Sequence, residues 1–226
     1  MDNWSYYYKI NPEENRLVRS NMLYTPMISP DGKTFCMNWD PNHEYQTKHG
    51  PREDFTPELI DFFFQKEVEN LTTFEKFPWA PELLDIDLKK KQIFFKWYGE
   101  TCNNIVYSGR NLDDVCPSWK PQLYLIINQI FNMGYYKLSL YPHCFFIDDN
   151  NVLRTFDMYG CVKRSAHMIE YSKLKGMVGP SSHGRFAEAM EGELVNMEIL
   201  FKRALSHYIK WPDNHLVTVH NKLFSS

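Results

Sequence analysis

Two short, mainly apolar stretches near the start of the chain flank a turn sequence. Met22 to Ile28 and Thr34 to Trp39 predict two strands around Ser29-Pro30-Asp31-Gly32, where proline pre-sets φ and glycine accepts the left-handed region. His43 to Glu53 is polar and contains Pro51, which reads as a surface loop. The period then lengthens. From Pro57 to Phe74, Ile60, Phe64, Leu71 and Phe74 fall on one helical stripe, with Thr56 as N-cap and Pro57 in the first turn. One residue on that stripe, Glu67, is charged, and a buried carboxylate needs a partner, since an unpaired one is costly.

Leu83 to Leu88 and Gln92 to Tyr98 predict a second pair of strands around Lys89-Lys90-Lys91, a lysine run that reads as a solvated turn. Between Cys102 and Pro121 the pattern is irregular. Leu123, Ile126, Ile127, Ile130 and Phe131 then predict an amphipathic helix ended by Gly134. Cys144 to Ile147 and Val152 to Phe156 form an apolar hairpin around Asp148-Asp149-Asn150-Asn151, good turn chemistry, and Asp157 follows its second strand directly. Phe186, Met190, Leu194, Met197, Phe201, Leu205 and Tyr208 mark a last long helix, after a Gly179 to Gly184 loop whose position before a helix suits an anion or a plain connection.

Composition narrows the class. With 226 residues, 43% hydrophobic and 16% aromatic, the chain is globular and large enough to bury a core without staples. A net charge of -3 gives no electrostatic case for nucleic acid or anionic lipid. The longest apolar stretches, such as Leu123 to Phe131, fall short of the roughly 20 residues of a membrane helix. Five dispersed cysteines without a C-x-x-C pair read as reduced thiols in a cytoplasmic protein. Eight histidines without H-E-x-x-H or a nearby cysteine pair predict no structural metal.

The segment Gly134-Tyr135-Tyr136-Lys137-Leu138-Ser139-Leu140-Tyr141-Pro142-His143-Cys144-Phe145-Phe146-Ile147-Asp148 lies on the kinase catalytic-loop pattern H-R-D-L-K-P-x-N, with Leu140, Pro142 and Asp148 coinciding. Together with the order hairpin, helix bearing Glu67, hairpin, long helix, tight hairpin and Asp157, this resembles a small protein-kinase-like fold of the aminoglycoside-phosphotransferase kind, over about residues 20 to 160. The resemblance implies an α+β, two-lobed molecule forming one structural unit. A β-rich N-terminal lobe would span 1–98, with its helix at 57–74, and a mainly helical C-terminal lobe would span 99–226, with its hairpin at 144–156.

On that register the catalytic aspartate is replaced by Ser139 and the metal-binding asparagine by Cys144. Asp157-Met158-Tyr159-Gly160 stands in place of D-F-G with one extra residue, so Asp157 is the implied magnesium or manganese ligand at an ATP site. Its other reading is a cap of the following turn. No glycine precedes Gly32, so the loop that would fold over phosphates is missing. Asn38 holds the place of the phosphate-binding lysine, or Trp39 after a one-residue shift, while Lys33 stands at the turn before and Glu67 takes the partner glutamate's place.

Loss of base, lysine, second metal ligand and glycine loop together removes positioning as well as proton transfer. The expected function is therefore a pseudokinase: an interaction or regulatory module with at most weak nucleotide or divalent-cation binding, acting on a protein partner. The alternative is an active atypical ATP-dependent phosphotransferase on a small-molecule substrate or a protein. There Lys33 would pair with Glu67, and Lys137 or His143 would stand in for the base. Neither reading calls for nucleic acid or a membrane.

Overall fold

A computed structural model of the chain describes residues 4–6, 9–11, 16–18, 23–40, 42, 57–137, 140 and 142–163. Strands β1 (Ser5–Tyr6), β4 (Thr25–Ile28), β5 (Thr34–Asn38), β6 (Leu83–Asp87) and β7 (Gln92–Lys96) form one antiparallel sheet in the order β1-β4-β5-β7-β6. Strands β2 (Lys9–Asn11) and β3 (Arg16–Val18) pair separately with each other. The two hairpins of the sheet follow the turn chemistry. Gly32 adopts φ +69 and donates its N–H to the Ser29 carbonyl, while Asp31 accepts from the Ser29 hydroxyl and the Lys33 N–H. In the lysine turn Lys91 takes φ 53, and its ammonium pairs with Asp61 of the adjacent helix rather than facing only solvent.

Helix α1 (Pro57–Phe74) buries Ile60, Phe63, Phe64, Glu67, Asn70, Leu71 and Phe74 on one stripe. Trp39, just after β5, meets Phe64 edge-on with ring centroids 6.2 Å apart, and so joins the sheet to the helix. The stretch expected to be irregular is instead helical. Short helices α2 (Cys102–Tyr107) and α3 (Leu112–Val115) start at Thr101 and Asn111, whose side chains accept from the N–H groups of Asn104 and Asp113. Helix α4 (Trp119–Asn132) begins a turn before Leu123, because Pro121 sits in its first turn, where a missing N–H costs nothing. Gly134, at φ +84, ends it as expected.

Strand β8 (Tyr135–Lys137) pairs antiparallel with β11 (Cys161–Lys163), a contact the sequence did not suggest, and β9 (Phe145–Ile147) pairs with β10 (Leu153–Thr155). A 3-10 turn, Pro142–Cys144, leads into β9, and another, Met158–Gly160, leads into β11. The molecule is thus mixed α and β, with antiparallel sheets. The hairpin β9–β10 lies against the large sheet through Phe35 on Phe156, Trp97 on Phe146 and Tyr98 stacked on Phe146. A backbone bond from the Thr155 N–H to the Trp79 carbonyl, 3.0 Å, and a side-chain bond from Arg154 to the Ala80 carbonyl, 2.8 Å, tie the hairpin to the segment between α1 and β6. Aromatic burial of this extent supplies the main driving force, at about 25 cal/mol per Å² of apolar surface removed from water.

All five cysteines are buried thiols, not disulfides. No helix among the described residues is long and apolar enough to cross a membrane. The predicted long helix from Phe186 to Tyr208, the Gly179 to Gly184 loop, the His43 to Glu53 loop and Ser139 lie outside the described residues.

Candidate functional site: a buried polar cluster around Asp157

Asp157 joins β10 to the Met158–Gly160 turn, with φ 59 and ψ 51. This left-handed conformation is uncommon for a residue with a Cβ and persists only where surroundings enforce it. Its carboxylate does not cap the turn. One oxygen, Oδ1, accepts from the Tyr24 hydroxyl at 2.5 Å, and the other, Oδ2, accepts from the Cys144 thiol at 3.0 Å. Asp157 is 3% exposed, and Tyr24 and Cys144 are likewise buried. Burial first, then the negative charge of Asp157, raises the Tyr24 phenol well above its ordinary value, so Tyr24 stays a neutral donor.

Lys137, at the end of β8, is fully buried, and its ammonium donates to the carbonyls of Phe156 (3.1 Å) and Asp157 (3.3 Å). The same ammonium lies 5.8 Å from the Phe145 ring centroid, a cation over an aromatic face. From α1, Glu67 Oε2 accepts the Tyr159 N–H at 2.5 Å, while Oε1 has no hydrogen-bond partner among the described residues. Burial, with Asp157 as the next contributor, pushes the Glu67 carboxyl up to about 8. At neutral pH Glu67 is therefore held as a neutral carboxylic acid in a low-dielectric interior. Asn70, one helical turn beyond Glu67, donates its side-chain amide to the Met158 and Cys161 carbonyls at 2.7 and 2.9 Å and pins the turn beneath.

The residues suggested by sequence divide into two groups. Glu67, Lys137, His143, Cys144 and Asp157 come together around the Met158–Gly160 turn, and His143 sits half-buried at the rim with a ligand atom within 4.8 Å of those of Cys144 and Asp157. Asn38 and Lys33 stand elsewhere. Asn38 is buried at the end of β5, where its side-chain oxygen accepts the Asp40 N–H. Lys33 is exposed at the turn between β4 and β5. The strand directs Trp39 toward the cluster, with its ring centroid 5.2 Å from Tyr24 and 5.5 Å from Tyr159. Sequence reading missed Tyr24, which lies 133 positions from Asp157. Asn70 shares the stripe of Glu67, and that shared spacing was the available signal.

No family model and no curated protein matches the chain. Among solved structures it is similar to the bifunctional kinase-methyltransferase WbdD, with 11% identity, a TM-score of 0.48, and coverage of 99% of this chain and 51% of that one. A crystal structure of monomeric WbdD gives 13% identity and a TM-score of 0.45 over 88% of this chain and 48% of that one. A further WbdD crystal structure gives 12% and 0.45 over 97% and 50%. The chain spans about half the length of these solved chains.

Proposed function

We propose that the chain is a degenerate kinase-like protein, with a β-rich lobe over 1–98 and a C-terminal lobe over 99–226, that works as an interaction or regulatory module. The observation that carries this reading is the state of Asp157: both carboxylate oxygens are engaged by protein donors, Tyr24 and Cys144, inside the core. Magnesium demands oxygen ligands in near-octahedral geometry, usually supplemented by water and phosphate. A buried carboxylate beside a thiol and an imidazole does not fit it. Further support comes from the cation side, because the strand position that would reach phosphates carries Asn38, folded onto Asp40, and Lys33 is exposed at a turn. Lys137 holds backbone carbonyls instead. Nucleotide or cation binding through Asp157 would first have to displace the Tyr24 hydroxyl.

Thermal unfolding with millimolar ATP or GTP and magnesium or manganese tests this on wild type, Tyr24→Phe and Asp157→Asn. A ligand at 100 times its Kd stabilises by about 2.7 kcal/mol, which for a chain of this size raises Tm by roughly 5–10 °C. We expect no metal-dependent shift in wild type. A shift that wild type shows and Asp157→Asn loses would overturn the reading in favour of an active phosphotransferase. Tyr24→Phe frees one oxygen of Asp157, and a shift confined to that variant would identify the tyrosine as the plug of a former nucleotide site.

A further inference from the structure

The same atoms that disfavour magnesium suit another class of cation. We propose that His143, Cys144 and Asp157 form a binding site for a zinc-class divalent ion. The three donors are an imidazole nitrogen, a thiol sulfur and a carboxylate oxygen, and their ligand atoms all lie within 4.8 Å of one another. Zinc is held by this mixture of nitrogen, sulfur and oxygen, with Zn–S near 2.3 Å and Zn–N near 2.0–2.1 Å, whereas magnesium and calcium are held by oxygen alone.

Two of the donors are already set. Cys144 and Asp157 come from different elements but are locked together: the Cys144 carbonyl accepts the Phe156 N–H and the Thr155 hydroxyl, each at 3.0 Å, and the Cys144 thiol touches Asp157 Oδ2 at 3.0 Å. Ligand atoms around a tetrahedral zinc lie roughly 3.5 Å apart at those bond lengths. Closure therefore asks for a movement of about 1 Å, and it falls on the donor at the rim, His143. Asp157 Oδ1 keeps its bond from Tyr24 while Oδ2 turns to the metal, so the tyrosine becomes the outer partner that orients a ligating carboxylate. The fourth position falls to water, as in zinc sites with three protein ligands.

The proton balance is simple. Cys144 releases its S–H proton to solvent as the thiolate binds, and the hydrogen bond from thiol to Oδ2 is replaced by two metal–ligand bonds. Spacing between distant residue pairs does not disclose this site. The relevant signal is the adjacent His143-Cys144, which one 3-10 turn presents toward the residue after β10. The inference does not rest on the chain being catalytically inert, and the nucleotide experiment above leaves it untouched.

The test is a titration of the full chain, stripped with a chelator, with cobalt(II) followed by zinc. One equivalent of cobalt should produce near-ultraviolet absorption from a thiolate–cobalt bond, and zinc but not magnesium should remove it. Cys144→Ser should abolish the band. His143→Ala should weaken cobalt binding by at least about tenfold, since outer partners of a metal ligand alone are worth about 10–100-fold. The half-buried rim position of His143 makes that variant the safer one for folding, with circular dichroism as its control. The absence of a thiolate–cobalt band, a band that survives Cys144→Ser, or an unchanged affinity in a folded His143→Ala would each overturn the site.

Discussion

Asp148 and Asp157 stand at opposite ends of the β9–β10 hairpin and are almost equally buried, at 4% and 3% exposure, yet their surroundings differ in kind. Asp148 accepts from the N–H groups of Asn150 and Val152 at 2.8 and 2.9 Å and from the Arg154 guanidinium at 2.8 Å. Its charge is matched, its lone pairs are used, and the turn is closed. Asp157 accepts from the Tyr24 hydroxyl and the Cys144 thiol, in a left-handed conformation, beside a second buried carboxyl, Glu67, with one oxygen unpartnered among the described residues. A carboxylate that only builds a turn is surrounded as Asp148 is. The arrangement around Asp157 and Glu67 costs the fold something that the turn alone does not require, a cost in keeping with the binding role proposed above.

The first way to break this comparison is Asp148→Ala, for which the largest effect is expected. Removing one partner of a buried ion pair costs about 3–5 kcal/mol, and here two turn N–H groups lose their acceptor as well. Urea unfolding should report that loss. A cost below about 1 kcal/mol, the range of an exposed pair, would mean that the matched turn contributes no more than a surface contact and would dissolve the contrast.

Glu67 sharpens the other side. Folded, its carboxyl ionises near 8, against an ordinary value of 4.5. Between those values the folded chain holds a proton that the unfolded chain has lost, so this group makes stability fall as pH rises, by up to about 1.4 kcal/mol per pH unit. Below 4.5 the group is protonated in both states and contributes no slope; above 8 its cost is fully expressed. Glu67→Gln keeps the acceptor for the Tyr159 N–H and removes the ionisation. It should flatten this part of the pH profile and stabilise the chain by roughly 3 kcal/mol at pH 7. Urea unfolding of both proteins at several pH values decides it, and a variant as steep as wild type would show that Glu67 is ionised in the fold.

The difference between the two ends of the hairpin also explains what the sequence could disclose. Turn chemistry is local, so Ser29 to Gly32 and Asp148 to Asn151 could be read directly, and the 3.6-residue stripe of α1 was equally plain, Glu67 included. Helices α2 and α3 were not, because four to six residues carry no period and their caps, Thr101 and Asn111, resemble ordinary loop residues. Pro121 hid the start of α4 by looking like a break. At the site, Asp157, Glu67 and Cys144 stood out through the kinase-like register, but the Tyr24 hydroxyl that holds Asp157 comes from 133 positions away. Such pairings are fixed by tertiary packing and leave no mark in spacing.

The smallest effect is expected at a third carboxylate, which separates burial from pairing. Glu69, two residues after Glu67, projects from the opposite side of α1 and meets Lys66 at 3.1 Å and Lys163 at 3.0 Å, with its side chain 43% exposed. It has two cationic partners where Asp148 has one, so a count of ion pairs would rank it higher. Water screens these charges, and holding long side chains in place costs entropy, so Lys163→Ala should change the unfolding free energy by less than about 1 kcal/mol, and that remainder should shrink in 1 M salt. Asp148→Ala should keep most of its cost in the same salt, because its pair is shielded from solvent. If the two variants respond alike, the number of partners governs these carboxylates and burial does not, and the unusual state of Asp157 and Glu67 would lose its meaning as a sign of binding.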